Sequence, residues 1–473
     1  MKKTTLLCFY FILSIGFMFA QDGTYDTSFG SNGVVYTDIN QQIEFFNALA
    51  QSPSGKIAVA GEGLGENDIV SFIVMYFEDG TIDASFADDG FLIDPISLEY
   101  NNIAFQSDEK IIFVYGNSSQ TIGRLLPNGL TDTSFGNNGS INVDGRFLRL
   151  DENNQIYTKK TQNNTLTVKR FLPNGNLDTS YGTNGSLAIT ANNGGNVGSL
   201  NGTLLPNGKL FLTYDETVGG NAPSYIEKYT SNGNLDETFG TNGKTEIPIE
   251  EEFSCSARAF SDESVLLNCG YWDFDLMMMV YKLLKLSPTG NFDQSFGVNG
   301  YLDGRSVELI QQNQRFITNS SSVDYDGGTF INFKRYFNNG NLDNSFQFEP
   351  APEVIQQTYK SIITNSGKLL VAANNLGLDA SQDILLFQYN NDPLGIRDEK
   401  VISVTVFPNP SGSVFNVKGQ QIDNNTYTVS DINGRVLLSG NFSGIENQLD
   451  LSHFSTGVYF LKISGTTIKL LKQ

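Results

Sequence analysis

Short apolar and alternating runs fill the chain, each stopped by a cluster of Gly, Asn, Asp, Pro or Ser. Phe45–Gln51 is one such run; Ser52-Pro53-Ser54-Gly55 breaks it, and residues 56–60 resume it. A period of two with breakers of this type predicts strands joined by tight turns, because Gly, Asn, Asp and Pro tolerate or preset the turn angles. Equivalent turns fall at 107–110, 151–154, 206–209, 261–264, 311–314 and 365–368. A further strand is expected after each hairpin, as at 72–77, 166–172, 331–337 and 384–389.

These elements recur with a period. The phrase Asp, any residue, Ser or Thr, an aromatic and usually Gly starts at Asp26 and recurs around Phe86, Phe135, Tyr181, Phe239, Phe296 and Phe346. From Phe29 onward the aromatics are separated by 57, 49, 46, 58, 57 and 50 residues. A repeat near fifty residues with four strands per unit is the arithmetic of propeller blades. The fold class predicted is all-β, a seven-bladed β-propeller followed by a small β-sandwich of Ig-like type. The last unit ends at Tyr389-Asn390-Asn391-Asp392 and the first anchor follows Asp22-Gly23, so the first anchor can join blade seven to blade one; an open or six-bladed array is the competing arrangement. The anchor aromatics are expected to wedge between blades and the repeated aspartates to bond backbone in the turn, with calcium held in the anchor loops as the alternative.

The segment Leu235-Asp236-Glu237-Thr238-Phe239-Gly240-Thr241-Asn242-Gly243, with its hairpin and outer strand, resembles the delta-60 β-propeller repeat over residues 26 to about 391. Ala87 in place of the anchor Gly, Tyr181 in place of Phe, and Gln347 without a following Gly depart from the pattern. The resemblance implies architecture and export; it assigns no chemistry.

The pattern changes after a short charged stretch, 392–400. Strands are expected at 414–417, 427–430, 435–438 and 458–463, with a hairpin at Asp431-Ile432-Asn433-Gly434. Pro408-Asn409-Pro410, Asp431 with Gly434-Arg435, Gly457-Val458-Tyr459 and the basic residues Lys469 and Lys472 resemble the C-terminal sorting domain of the type IX secretion system. That resemblance implies the secretion machinery as a partner, passage across an outer membrane, and removal of the module near Lys400 followed by release or surface attachment. A permanent accessory sandwich is the alternative. The expected domains are therefore a signal peptide at 1–20, a propeller at 21–391, a linker at 392–400 and the sorting domain at 401–473.

The start supports the same route. Lys2 and Lys3, an apolar stretch from Leu6 to Phe19 and Ala20 have the layout of a cleavable secretory signal. No other stretch is expected to span a membrane. The product is expected outside the cell or on its surface. Residues 21–400 carry 23 basic against 47 acidic residues in a chain of net charge −21, which argues against nucleic acid or anionic membranes as partners. Cys255 and Cys269 flank the turn at 261–264, as a disulfide or as two free buried thiols.

His453, the only histidine, lies in the tail, so imidazole catalysis and His-rich zinc sites are not expected in the propeller. The most varied connections run at 61–68, 215–223, 270–276, 318–328 and 374–383, where binding is usually placed. Among them Trp272, Asp273, Asp275, Asp324, Tyr325 and Asp326 belong to adjacent units and offer an aromatic face beside carboxylates, suited to a sugar or to a glycan bridged by calcium. An exposed acidic rim with a partly packed Trp is the simpler reading. No cofactor is otherwise expected. The sequence leaves three functions open: non-enzymatic binding of glycan or protein, carboxylate-based hydrolysis or lysis of polysaccharide, and a purely structural surface role.

Overall fold

A computed structural model describes residues 21–473 apart from 40–42, 65–68, 96–97, 117–118, 163–164, 191–195, 218–222, 250–253, 274–277, 305, 312, 320–321, 324–328, 351–354, 376–382, 392–403, 420–425, 432–434, 445 and 464–465. The expected signal at 1–20 lies outside the described residues. The described residues contain no α-helix, and none of them forms a helix long and apolar enough to cross a membrane. They form nine antiparallel sheets in two compact units, Met1–Pro393 and Leu394–Gln473.

Seven of the sheets follow one another in the first unit. The first contains Ile43–Gln51, Ile57–Leu64, Ile69–Tyr76 and Phe91–Asp94, hydrogen-bonded in that order. The second to fifth sheets repeat this order, starting at Tyr100, Arg146, Asn196 and Ser254. Every turn read from the sequence joins the first two strands of its sheet; Ser52 N donates to Lys56 O, and Thr364 N donates to Lys368 O.

The repeat is displaced by one strand from the sheet. Ile69–Tyr76, expected as the last strand of its blade, is third; the anchor follows it, and the apolar run after the anchor supplies the outer strand. The offset creates the seam. Val34–Thr37 has no earlier sheet to complete and pairs instead with Ile384–Tyr389, in the register Val34 with Phe387 to Thr37 with Ile384. Gly23 N donates to Asn390 O, Asn390 N to Thr24 O and Asp26 N to Gln388 O.

The sixth sheet departs from the expected four strands. It holds Ser306–Ile310, Arg315–Asn319 and Phe333–Phe337 alone. After Phe346, where Gln347 replaces the anchor Gly, the described residues form no outer strand, and the amides of Gln347 and Glu349 donate to Asp22 O and Gly23 O. The bond from Gln347 N to Asp22 O is the one that each anchor makes to the turn before the next anchor, as from Gly30 N to Asp79 O, so Asp22-Gly23 supplies that turn across the seam.

Seven apolar cores join each sheet to the next and the last to the first. One anchor aromatic sits in each, from Phe29 at the seam to Phe346 between the sixth and seventh sheets, and six of the seven rings are fully buried. The wedge expected of these rings is their observed role. A ring burying its area between two sheets is worth about 2–3 kcal/mol, which explains the repetition of the phrase. Cys255 and Cys269 are opposite each other on the first two strands of the fifth sheet and form a disulfide inside its core.

In the second unit, Val404–Phe407, Val414–Gly419 and Glu446–Asp450 make one sheet, and Thr426–Asp431, Val436–Asn441, Gly457–Ile463 and Thr466–Lys472 another. Phe415, Val417, Val429, Leu449, Leu461 and Leu470 form their common core.

Candidate functional site

The anchor end of the sheets is structural. In each anchor the aspartate Oδ1 accepts the amide and hydroxyl of the Ser or Thr two residues later, as from Ser85 to Asp83 at 3.0 and 2.5 Å. The second oxygen faces a cation: Lys56 with Asp83 at 2.6 Å, Arg124 with Asp132 at 2.9 Å, Arg170 with Asp178 at 2.7 Å and Arg335 with Asp343 at 2.8 Å. Lys368 and Lys228 serve Asp26 and Asp236 at 3.3 and 3.4 Å. Burial pushes the Asp83, Asp132, Asp178 and Asp343 carboxyls up, but the serine and cation bonds outweigh it and hold them below the usual range. These carboxylates are committed to protein cations, which removes the reason to place calcium in these six anchors.

The opposite end carries the connections between the second and third strands and the crossings from sheet to sheet. Much of what the sequence assigns to loops there is strand: Val265–Asp273 includes Trp272 and Asp273, and Ile57–Leu64 includes the start of the first connection. Trp272 is 45% exposed on that strand, opposite Met279. Asp275, Asp324, Tyr325 and Asp326 lie outside the described residues, as does the side chain of Asp273. The expected aromatic and acidic cluster is therefore placed only at Trp272.

Two other groupings converge on the same end or on the innermost strands. Asp38, Glu44 and Asp383 bring carboxylate oxygens within 4.8 Å of one another at the seam; Glu44 is fully buried, Asp38 exposed and Asp383 between. Oxygen donors at this separation suit a hard cation such as calcium. Between the sixth and seventh sheets, Glu308 accepts from Tyr359 Oη at 3.2 Å and from Ser361 Oγ at 2.7 Å, and Asn319 Nδ2 donates to the same Tyr359 oxygen. Burial, reinforced by Glu308, pushes the Tyr359 phenol up. The innermost strands carry a bulge in six of the seven sheets, between Phe46 and Ala48 in the first and Val307 and Leu309 in the sixth. Such bulges re-aim side chains near the centre of a ring.

In the second unit the motif residues gather. Asn409 Nδ2 donates to Lys469 O at 2.7 Å, and Asn409 Oδ1 accepts from Leu471 N at 2.9 Å. Gly457 and Tyr459 pair with Lys472 and Leu470, and Lys472 Nζ bonds Ser452 O and Phe454 O. Pro408-Asn409-Pro410 on one side, and Gly457 and Tyr459 on the other, thus flank the strand that carries Lys469 and Lys472. Asp431 and Arg435 form a separate turn, with Arg435 N on Asp431 Oδ1 at 3.0 Å; Gly434 is outside the described residues. Residues 405–473 match the family described as the secretion system C-terminal sorting domain, and residues 52–86 match a β-propeller domain of unknown function, DUF5122.

The protein is a β-propeller sorted by the type IX secretion system.

A sorted propeller of this kind is secreted or displayed on the cell surface. None of the curated proteins matches its sequence. Among solved structures it is similar to PorZ, a surface component of the type-IX secretion system of Porphyromonas gingivalis, with 13% identity and a TM-score of 0.34 over 92% of this chain and 60% of that one. The sorted propeller thus spans 60% of the length of that relative. It is also similar to the polysaccharide lyase Uly1, at 10% identity and a TM-score of 0.48 over 80% of this chain and 94% of that one. The β-propeller domain of the Trilobed protease from Pyrococcus furiosus aligns at 10% identity and a TM-score of 0.39, covering 74% and 95%.

Sequence reading missed the seam carboxylates, because Asp38 and Asp383 meet only once Val34–Thr37 pairs with Ile384–Tyr389. It also missed the anchor cations, although these carry a signal. Arg124, Arg170, Lys228 and Arg335 each precede their anchor aspartate by eight residues, a spacing visible along the chain.

Proposed function

We propose that the seven sheets are the blades of one closed propeller, exported as a non-enzymatic binding protein that holds a glycan on the end opposite the anchors. The observation that carries this reading is Trp272. It is the only tryptophan of the chain, and a ring of that size left 45% exposed on a strand offers a rigid stacking face for a sugar. The propeller is read as 21–391, joined through 392–400 to the sorting domain at 401–473.

The test is a glycan-array screen of the full chain in calcium and again in chelator, with Trp272→Ala beside the parent. Selective capture lost in the variant, with an unchanged thermal midpoint, supports the reading. Equal capture by both forms rules out the Trp272 face, and silence on every glycan turns the reading toward a protein partner or a structural role. Loss of capture in chelator points to a bridging cation.

The seam carboxylates favour a second reading, hydrolysis of a polysaccharide, since paired carboxyls at short separation perform general acid and nucleophile work. Release of reducing ends by the parent and not by Glu44→Gln would support it; no release from any polysaccharide offered would remove it.

A further inference from the structure

Residues 144–171 hold six of the chain's thirty Lys and Arg residues against three acids, in a protein of net charge −21. Two of these cations are spent. Arg170 is bound to Asp178, and Lys160 to both oxygens of Asp144 at 2.7 and 2.8 Å. Arg146 and Lys159 have no ion pair among the described residues, yet they are direct cross-strand partners on the first two strands of the third sheet. Like charges directly opposite one another destabilise a ladder, so nothing in the fold itself favours the pair.

The local backbone brings further positive charge to the same face. A bulge between Phe147 and Arg149 turns Arg149 to the side that Arg146 occupies, since their partners Tyr157 and Lys159 are two residues apart on one strand. Gly145, at φ 142°, lets the crossing segment press onto the pair: a Cβ there would fall 2.6 Å from Lys159 O. Arg146 is exposed and Lys159 half-buried; the Arg149 side chain reaches the surface but donates from Nη1 to Leu204 O at 3.3 Å in a partly buried setting. Burial, followed by the charge of Arg146, pulls the Lys159 ammonium below its usual range, and burial does the same to Arg149. The positive charge is held against its own repulsion and is open to solvent at Arg146.

We infer that Arg146 and Lys159, assisted by Arg149, form an anion site that receives a carboxylate or sulfate group of an acidic polysaccharide. The inference rests on the glycan reading above and names its substrate class. A guanidinium beside an ammonium matches an oxyanion with several acceptors, and the bound anion removes the repulsion between them. The acidic body of the propeller rejects a duplex carrying one charge per ~1.7 Å, whereas a saccharide with isolated charged groups meets the cations locally.

The test uses the full chain with a galacturonic acid tetramer, a sulfated galactan oligomer and neutral maltotetraose. The expected result is binding to at least one charged oligomer that weakens with added salt. Lys159→Gln and Arg146→Gln should each lose it by about tenfold, ~1.4 kcal/mol. Lys159→Arg should retain it, and the thermal midpoint of Lys159→Gln should equal or exceed the parent's. The carboxylated and sulfated arms tell the two anions apart. No binding of either charged oligomer, or equal affinity in parent and Gln variants, overturns the site. If maltotetraose binds in a Trp272-dependent way while the Gln variants behave as parent, the glycan reading stands and the anion site does not. Charged binding that needs Lys159 but survives Trp272→Ala supports the site and removes the Trp272 face.

Discussion

Arg335 Nη2 lies 2.5 Å from Asp22 Oδ2, joining residues 313 positions apart across the seam of the propeller. Arg335 is fully buried and also holds Asp343, Asn391 and Ser345, so one guanidinium ties the N-terminal segment, the seventh anchor turn and the end of the last sheet. Removing one partner of such a buried pair leaves charge without compensation, at a cost of about 3 kcal/mol. Asp22→Asn should lower the unfolding midpoint of the propeller by that measure in a denaturant titration. Asp144→Asn, which breaks an exposed pair with Lys160, should leave it unchanged. Equal midpoints for the two variants would show that the seam is closed by the ladder alone.

Ala87 occupies the anchor position held by Gly in five other repeats. Its φ is 46°, beside 51° at Gly30, 53° at Gly136 and 56° at Gly240, and its amide makes the equivalent bond, to Asn128 O. A Cβ in this region strains the backbone by roughly 1–2 kcal/mol, offset in part by the greater freedom of unfolded Gly. Ala87→Gly is therefore expected to stabilise the propeller by about 0.5–1 kcal/mol, and Gly136→Ala to destabilise it by about as much or more. Calorimetry of the two variants checks both signs; a lower midpoint for Ala87→Gly would refute the argument.

The same local chemistry explains what could be read from the sequence. Hairpin turns, anchors and alternating strands are set by residues close in the chain, and the wedge role of Phe29 or Phe239 follows from its repetition. The offset between repeat and sheet could not be read in this way, because Val34–Thr37 is the same strand in either framing until Ile384–Tyr389 is in place. The three-stranded sixth sheet shows as a change at Gln347, without the sequence saying that its amide would bond Asp22 O across the seam. At the end opposite the anchors, Trp272 was legible as an aromatic in a variable connection, although the structure puts it on a strand. Asp38, Glu44 and Asp383 were not, nor was the pairing of Arg146 with Lys159, which needs the bulge to fix its register.

The anchors also set a pH dependence. Asp26, Asp83, Asp132, Asp178 and Asp343 lie below the usual carboxylate range because serine and cation bonds outweigh burial; at Asp236 the Thr238 hydroxyl leads. A carboxyl whose folded pKa is depressed contributes stability that is present above its unfolded value, about 3.9, and lost as pH falls through the folded value. Asp151, which burial pushes up, works the other way and is outnumbered. The unfolding midpoint should stay nearly level from pH 7 to about 5 and fall steeply below about 4. Melting curves across that range test the sign; a protein that gains stability on acidification would contradict the assignment.

Asn409 links the start of the sorting domain to its end. Its side chain takes the carbonyl of Lys469 and the amide of Leu471, so the Pro408-Asn409-Pro410 segment pins the strand that carries Lys469 and Lys472. Two backbone groups lose their partner in Asn409→Ala, at about 1 kcal/mol each. The core around Phe415 and Leu461 remains, so the domain should still fold while its last strand frays. If the machinery reads this edge, the variant should accumulate inside the cell while the parent is exported. Lys418→Gln, which breaks an exposed pair with Glu446, should be exported as the parent is. Immunoblots of cell and medium fractions measure the partition, and intact mass of the exported form should place its C-terminus near Lys400. Export of Asn409→Ala in full yield would show that the tie is dispensable for recognition.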